Sequence, residues 1–188
     1  MSLEKCYVET ANRTDKYDLG YITEFYDSLF SPIQNDVKKV LEIGIYDGDS
    51  VILWNDFFVN AEIHCADIAK RKDLSSYSRI FPVYANAYDT NFVAQFEKES
   101  FDIVIDDGPH TYDSMVFSLN HYLNLVKSGG LFILEDIVDP AWTPHLLKII
   151  QDRNDISIEV HDMRLKQKVQ HLYENWKNGL DVIVVRKK

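Results

Sequence analysis

The chain has 188 residues, of which 46% are hydrophobic and 27% are charged, with a formal net charge of −10, and this length predicts one domain with a sizeable core. The acidic balance argues against nucleic acid as a partner, because phosphate binding depends on dense lysine and arginine surfaces. Without a long apolar run we expect no signal peptide and no membrane span, and therefore a cytoplasmic protein that does not engage a membrane.

Apolar periodicity predicts helices and strands that alternate along the chain. The first predicted helix, residues 21–30, carries an aromatic stripe that we interpret as a face covering the core. The predicted strands are Val40–Ile45, Glu62–Ile68, Ile80–Tyr84, Phe101–Ile105, Leu131–Leu134, Ile156–Val160 and Asp181–Val185. The other predicted helices are Asp49–Phe58, a short one within 69–79, Asn91–Lys98, Ser114–Val126 and Trp142–Gln151.

Near-continuous apolar strands separated by helices indicate a parallel sheet that is covered on both faces. No long helix is expected after the sixth strand, which suggests that the last strand pairs antiparallel. We therefore predict an α/β fold with a mostly parallel seven-stranded sheet, helices on both faces and an antiparallel last strand. In such a sheet a ligand binds outside the carboxyl ends of the strands.

A glycine turn follows the first predicted strand. Gly44 lets the backbone turn without a Cβ clash, and Gly48 permits close approach by a ligand at the start of the next helix. Together they present backbone N–H groups to a nucleotide-like ligand. Asp67 ends the second strand, where a carboxylate can accept hydrogen bonds from both ribose hydroxyls of an adenosine-containing cofactor. The alternative is that Asp67 is an ordinary carboxylate at the end of a strand and binds no cofactor.

Polar side chains also follow the third, fourth and fifth strands. Asn86 and Tyr88, after the third strand, are candidates for the border of an adenine pocket. Asp106 and Asp107 end the fourth strand and lead into a glycine-proline turn that carries His110.

Glu135 and Asp136 occupy the equivalent end of the fifth strand. Adjacent carboxylates are costly unless they are solvated, paired or bound to a cation. With Asp106 and Asp107 they would place hard oxygen ligands around one point, which suits Mg²⁺ or Mn²⁺. The alternative is that Asp107 caps a helix and the others are surface carboxylates.

These motifs resemble those of class I S-adenosylmethionine-dependent methyltransferases. Within that group the chain is similar to the metal-dependent O-methyltransferases of macrolide and related sugars, and to cephalosporin-hydroxylase-like proteins. The resemblance is carried by Thr14–Lys16, Val40–Gly44, Asp67–Ile68, Ile105–His110 and Leu134–Asp136. It implies a Rossmann-like sheet in residues 36–188, which bind S-adenosylmethionine, and an N-terminal lid or cap segment in residues 1–35.

The resemblance also implies roles for single residues. Asp107, Glu135 and Asp136 would bind Mg²⁺, and His110, with Asp107 beside it, would be the catalytic base. Glu42 and Gly44 would border the methionine part of the cofactor. The whole implied cofactor site is Lys16, Glu42, Gly44, Gly48, Asp67, Ile68, Asn86 and Asp106.

The predicted function is therefore an S-adenosylmethionine-dependent and Mg²⁺-dependent O-methyltransferase that acts on a hydroxyl of a sugar or small natural product. A histidine, with an ordinary pKa near 6.5, is suited to accept the hydroxyl proton. We expect the Lys-rich segment 164–177 to be a solvated loop or helix; the alternative is that it attracts an anionic substrate such as a nucleotide-linked sugar. A homo-oligomer is compatible with the sequence. One alternative is an NAD-dependent oxidoreductase or epimerase, against which the absent G-x-G-x-x-G spacing argues. Another is a non-enzymatic cofactor-binding protein.

Overall fold

A computed structural model describes residues 1–164, 166 and 180–188 of the chain. Within these residues, seven strands form a single sheet of order β3-β2-β1-β4-β5-β7-β6. The strands are β1 (Lys39–Ile43), β2 (Glu62–Asp67), β3 (Ile80–Tyr84), β4 (Phe101–Asp106), β5 (Val126–Ile137), β6 (Ile156–Asp162) and β7 (Asp181–Lys187).

The first five strands pair in parallel, whereas β7 pairs antiparallel with both β5 and β6. The predicted seven-stranded sheet with an antiparallel last strand is confirmed. The central strands are buried on both faces, with separate hydrophobic clusters on the two sides. This burial is why these strands read as near-continuous apolar runs.

The helices lie on both faces of the sheet. A π-helical turn occurs at Ile22–Tyr26, and 3₁₀ turns occur at Ser31–Ile33 and Tyr122–Leu125. The α-helices are α1 (Leu3–Glu9), α2 (Asp27–Phe30), α3 (Asp49–Phe57), α4 (Thr90–Val93), α5 (Tyr112–His121) and α6 (Trp142–Ile150). None of the helices in the described ranges has the length and apolarity needed to cross a bilayer.

Three local predictions were wrong. Residues 69–79 form bends and turns instead of a short helix, because Leu74 is their one buried apolar residue and no apolar face exists to stabilise a helix. The helix predicted over 91–98 has only four residues. The Gly129-Gly130 pair does not separate a helix from a strand, because β5 already begins at Val126 and passes through the pair with a register shift against β4.

The N-terminal segment packs into the core of the protein. Tyr21, Phe25, Tyr26 and Phe30 are buried, and the Tyr26 and Phe30 rings both contact the Trp54 ring of α3. The aromatic stripe therefore covers the core, as predicted. The two tyrosines also carry hydroxyls that reach the carboxyl edge of the sheet.

Candidate functional site

A cavity of about 560 Å³ opens at the carboxyl ends of β1, β2, β4 and β5. It lies where an open α/β sheet is expected to hold its ligand, and its volume falls in the range of small-molecule sites. Of the residues predicted from the sequence, it is lined by Lys16, Gly44, Asp67, Ile68, Asn86, Tyr88, Asp107, His110, Glu135 and Asp136. Glu42, Gly48 and Asp106 do not line it.

The turn after β1 is hydrogen-bonded to the ends of the two neighbouring strands, β2 and β4. Gly44 donates its N–H to the carbonyl of Ala66 (2.8 Å), and Asp107 donates its N–H to the carbonyl of Ile43 (2.9 Å). Gly44 has φ +97°, and a β-carbon at this position would lie 1.9 Å from the carbonyl oxygen of Asp107. Only glycine allows this close approach of the two loops.

Asp67 ties the same turn to the end of β2. Its Oδ2 accepts hydrogen bonds from the N–H groups of Ile45 (2.9 Å) and Tyr46 (3.0 Å), and its Oδ1 accepts from Ala69 (2.9 Å). Partial burial raises the pKa of Asp67, but these three hydrogen bonds outweigh it and hold the pKa below its ordinary value. An ionised carboxylate therefore stands at the cavity wall.

The remaining predicted residues of this half border or support the cavity. The side-chain oxygen of Asn86 accepts from the Tyr88 N–H (3.0 Å), and Ile68 lies exposed at the rim. Tyr46 and Arg71 also line the cavity, with the guanidinium 4.6 Å from the Tyr46 ring centroid. We did not predict these two residues, since Arg71 belongs to no motif and Tyr46 was interpreted only as part of the turn between Gly44 and Gly48.

Glu42 lies in the core behind the turn. Its Oε2 accepts hydrogen bonds from Ser50 Oγ (3.1 Å) and Trp54 Nε1 (3.0 Å), whereas its buried Oε1 has no hydrogen-bond partner in the described part of the chain. Burial raises the pKa of Glu42 to about 7 although Lys16 opposes the rise. Gly48 is the N-cap of α3, has φ +76° and faces the Lys72 side chain; it does not line the cavity.

Asp106 is buried, does not line the cavity and holds the turn that follows it. It accepts hydrogen bonds from the hydroxyls of Tyr88 and Ser118 and from the N–H of Gly108. A β-carbon at Gly108 would lie 1.9 Å from the Tyr88 hydroxyl oxygen. The glycine in the D-D-G-P-H sequence is therefore needed for the contact that fixes Tyr88.

Asp107, His110 and Asp136 converge at the cavity. Each offers one possible metal-ligand atom, and these atoms all lie within 4.8 Å of one another. His110 Nε2 is 3.7 Å from Asp107 Oδ1 and 3.7 Å from Asp136 Oδ2. His110 and Asp136 both have positive φ, +52° and +55°. Backbone of this kind persists only where the surroundings impose it, and it clusters at functional sites.

The N-terminal segment supplies the other partners of this cluster. Lys16 Nζ donates to Asp107 Oδ2 (2.6 Å) and Glu135 Oε2 (2.5 Å). The Tyr26 hydroxyl donates to Glu135, and the Tyr21 hydroxyl donates to Asp136 Oδ1 (2.5 Å). The two tyrosines were missed as site residues because their spacing was that of a core-facing stripe. The signal available was the hydroxyl group, which a stripe of phenylalanines would lack.

Burial dominates the electrostatics of the cluster. It raises the pKa of Glu135 well above its ordinary value and raises that of Asp136, while Lys16 and His110 respectively oppose these shifts. Burial lowers the pKa of Lys16, but the carboxylates of Asp107, Glu135 and Glu42 reverse the effect and raise it well above the ordinary value. Lys16 is therefore a permanent cation beside carboxylates that lack sufficient counter-charge.

Taken together, the sheet and the cavity define a Rossmann-like α/β domain that takes its ligand at the carboxyl edge. A family profile described as a methyltransferase domain matches residues 41–137, just over half of the chain. The chain belongs to this methyltransferase family, and the resemblance seen in the sequence is confirmed.

Named relatives agree with this assignment. The chain is 30% identical over 133 residues to mycinamicin VI 2''-O-methyltransferase of Micromonospora griseorubida, and 32% identical over 133 residues to demethylmacrocin O-methyltransferase of Streptomyces fradiae. Each alignment covers 66% of this chain and 33% of the relative. The aligned part of the chain thus spans about a third of the length of these curated relatives.

Solved structures show the same fold. The MycE methyltransferase from the mycinamycin biosynthetic pathway, in complex with Mg, SAH and mycinamycin VI, matches with a TM-score of 0.70 and 25% identity. The match covers 100% of this chain and 54% of that one. An O-methyltransferase from Bacillus cereus in complex with SAH matches in fold, with a TM-score of 0.67, 15% identity and coverage of 99% and 90%.

Proposed function

We propose that this chain is an S-adenosylmethionine-dependent and Mg²⁺-dependent O-methyltransferase that acts on a hydroxyl of a sugar, free or attached to a small natural product. The observation that carries the proposal is the position of His110 beside Asp107 and Asp136 in the cavity that the glycine turn and Asp67 also line. The sugar substrate is supported by the name of one relative, which is an O-methyltransferase of a rhamnosyl tetracenomycin C.

The described residues fit the cofactor. Asp67 is ionised at the cavity wall and can accept hydrogen bonds from ribose hydroxyls. Glu42 retains a buried acceptor without a partner, Oε1, behind the turn that would border the methionine part. A buried acceptor left unpaired costs free energy, so a donor on a ligand or water is expected there. Asn86 and Tyr88 line the opposite part of the cavity.

The residues also fit a divalent cation. With Asp107, Glu135 and Asp136 ionised and Lys16 protonated, the cluster has a formal charge of −2 in a largely buried setting. Such a charge is costly without a counter-ion, and carboxylate oxygens are the ligands that Mg²⁺ prefers. Bound Mg²⁺ would lower the pKa of a coordinated hydroxyl.

His110 would then accept the proton of the substrate hydroxyl. Asp107 and Asp136 flank its ring and would stabilise the imidazolium that forms. The constrained backbone of His110 keeps the ring at this position, so that proton acceptance and methyl transfer occur at one place.

Several sequence-based expectations stay predictions. Residues 1–35 are proposed to cap the site, supported by the contacts of Lys16, Tyr21 and Tyr26 with the acidic cluster. Three other expectations also stay predictions: that the protein is cytoplasmic, that it binds neither nucleic acid nor a membrane, and that it forms a homo-oligomer. The Lys-rich segment, for which attraction of a nucleotide-linked sugar is the alternative to a solvated loop or helix, lies for the most part in 167–179, outside the described residues.

Titration calorimetry with S-adenosylhomocysteine, with and without Mg²⁺, tests the proposal. We expect micromolar binding by the wild-type chain and loss of binding by Asp67→Ala. Asp89→Ala is the matched control, because Asp89 also accepts a backbone N–H but does not line the cavity. Formation of S-adenosylhomocysteine with a panel of glycosides then identifies the acceptor. Absence of cofactor binding would refute the proposal and favour an NAD-dependent oxidoreductase or a non-enzymatic protein. Cofactor binding without methyl transfer would favour a non-enzymatic cofactor-binding protein.

A further inference from the structure

We propose that Tyr21 and Tyr26 are positioning residues of the proposed metal site, and that the π-helical turn between them brings both hydroxyls to the adjacent carboxylates Asp136 and Glu135. The inference rests on the proposed function and deepens it, because it adds two residues that hold ligands of the cation without binding the cation themselves. The carboxylates that would bind Mg²⁺ remain those of Asp107, Glu135 and Asp136.

The two tyrosines are five residues apart, a spacing that a regular α-helix does not place on one face. An α-helix has about 3.6 residues per turn, so side chains five positions apart point about 140° away from each other. Between Tyr21 and Tyr26 the helix widens into the π-helical turn, in which the Asp27 N–H donates to the Ile22 carbonyl five residues earlier. The wider turn returns the chain to the same face after five residues. The Tyr21 and Tyr26 rings accordingly lie side by side, with their centroids 6.0 Å apart.

The strand that the tyrosines contact is irregular in a matching way. Neighbouring residues of a regular strand point to opposite faces of the sheet, yet Glu135 and Asp136 both line the cavity. Asp136 has φ +55°, and the register of β5 against β7 shifts between Leu134 and Ile137. An irregularity of this kind re-aims a side chain and is frequent next to active sites. Two adjacent carboxylates are therefore presented to two adjacent hydroxyls.

Each hydroxyl holds one carboxylate. The Tyr21 hydroxyl donates to Asp136 Oδ1 (2.5 Å), and the Tyr26 hydroxyl donates to Glu135 Oε1. Both tyrosines are 0% exposed, so bulk water does not replace either hydroxyl. An ionised carboxylate has about four lone-pair positions, so an oxygen that accepts one hydrogen bond keeps a lone pair for a cation. The contacts thus fix the direction of each carboxylate and leave it able to bind a metal.

Aromatic packing fixes the two rings in turn. The centroid of the Tyr26 ring lies 4.6 Å from that of Phe30 and 5.2 Å from that of Trp54, and the Tyr21 ring meets Phe25 edge-on at 6.0 Å. Phenylalanine fills the same stripe at residues 25 and 30, so core packing does not require the hydroxyls. Burying a polar group is costly unless it is hydrogen-bonded, and the carboxylates supply the bond. Groups fixed by packing in this way hold a site close to its productive geometry.

Manganese titration of the full chain, followed by the electron paramagnetic resonance signal of free Mn²⁺, tests the positioning role without an activity assay. We expect Tyr21→Phe and Tyr26→Phe each to weaken Mn²⁺ binding about 10- to 100-fold, the usual cost of losing a group that orients a metal ligand. Tyr122→Phe is the matched control, because the buried Tyr122 hydroxyl donates to the Ala87 carbonyl outside the cluster. It should bind Mn²⁺ as wild type does.

The same titration distinguishes positioning from a purely structural role. A structural role would lower the stability of Tyr21→Phe and Tyr26→Phe but leave the Mn²⁺ affinity of the folded protein unchanged, and that result would overturn the inference. Circular dichroism at the temperature of the titration identifies the folded variants. If Tyr26→Phe does not fold, the comparison of Tyr21→Phe with Tyr122→Phe decides.

Changes at Glu24 test the role of the turn. Glu24 lies within the turn and is exposed, and its carboxylate pairs with the exposed Lys166 (3.5 Å). Deleting Glu24 leaves the tyrosines four residues apart, which a regular α-helix places on one face, so the Mn²⁺ affinity should remain that of wild type. Inserting one alanine after Glu24 leaves them six apart, about 120° away from each other on an α-helix, and the affinity should fall as in Tyr21→Phe.

Glu24→Ala is the control for both length changes, because it removes the side chain and keeps the five-residue spacing. It should bind Mn²⁺ as wild type does. Equal losses in the deletion and insertion variants, or wild-type affinity in the insertion variant, would contradict the role of the turn.

The wild-type titration separates this inference from the proposed function. If the wild-type chain binds no Mn²⁺, both the inference and the metal dependence fail, while binding of S-adenosylhomocysteine still reports on the cofactor site. If wild type binds Mn²⁺ and the two Tyr→Phe variants bind it equally well, only the inference fails.

Discussion

The α-carbon of Gly44 abuts the carbonyl oxygen of Asp107, so closely that a β-carbon at residue 44 would lie 1.9 Å from that oxygen. This contact joins the two halves of the site, because Gly44 belongs to the turn that borders the cofactor position and Asp107 belongs to the acidic cluster. The distance between the two halves is therefore set by the absence of a side chain at one residue.

We expect Gly44→Ala to lose binding of S-adenosylhomocysteine and to lower the free energy of unfolding by about 3 kcal/mol. About 1–2 kcal/mol reflects the left-handed backbone, and the rest reflects the displaced Asp107 loop, in the range of an overpacked core. Gly129→Ala is the matched control, since Gly129 also has positive φ but its β-carbon would have no neighbour within 4 Å. Denaturant unfolding and calorimetry measure both effects. Equal destabilisation by the two variants would show that the contact with Asp107 is unimportant.

The buried tyrosines provide a second prediction. Tyr26→Phe leaves one oxygen of buried Glu135 without a donor, so we expect a loss of about 2–3 kcal/mol in unfolding free energy, as for hydrogen bonds to charged groups. The control is Tyr122→Phe, because the buried Tyr122 hydroxyl donates to the uncharged carbonyl of Ala87. That variant should lose only about 1 kcal/mol. Chemical denaturation without divalent cations decides the comparison, and a larger loss for Tyr122→Phe would contradict it.

Glu42 makes the stability of the metal-free protein depend on pH. Burial raises its pKa from the ordinary 4.5 to about 7, so between these values the folded state binds the proton more tightly than the unfolded state. The contribution of this residue therefore favours folding at low pH and is lost as the pH rises through 7. A shift of this size corresponds to about 3 kcal/mol.

We accordingly expect the free energy of unfolding of Glu42→Gln, measured relative to that of wild type, to increase from pH 5 to pH 8 by up to about 3 kcal/mol. Glu97→Gln, at an exposed position, should parallel wild type over the same range. Urea unfolding at the two pH values gives the difference. If the free energy of unfolding changed equally with pH in Glu42→Gln and in wild type, Glu42 would not be the source of this pH dependence.

His110 can be tested without disturbing its backbone. Asparagine tolerates positive φ better than most residues, so His110→Asn keeps the backbone conformation but removes the base. We expect a loss of about 10²–10⁴-fold in turnover, measured as formation of S-adenosylhomocysteine with an active glycoside, and unchanged cofactor affinity. His145→Ala, at an exposed position on α6, is the control. Full turnover by His110→Asn would exclude His110 as the base.

Much of the fold could be predicted because the relevant signals are local. Strand β3 was predicted with its observed bounds, and β4 to within one residue, since each is a short apolar run between polar segments. The helix predicted within 69–79 was wrong because this polar stretch buries only Leu74, and one buried side chain does not stabilise a helix. The start of β5 at Val126 was not predicted, because the Gly129-Gly130 pair resembles a break between elements. The strand continues through the pair with a register shift against β4, and such a shift depends on the partner strand.

The sequence by itself determined the fold class, the edge of the sheet at which the site lies, and half of the residues that line it. These features follow from the order of apolar runs and from the polar residues that end them, and both are properties of single segments. Which oxygen of each carboxylate faces the cavity was decided only by the tertiary structure.

The partners responsible, Lys16 and Tyr26, are 119 and 109 residues away from Glu135 along the chain. Contacts at such separations leave no periodic trace in either segment. They exist because the N-terminal segment buries its aromatic face against α3, which brings an ammonium and two hydroxyls to the carboxyl edge of the sheet.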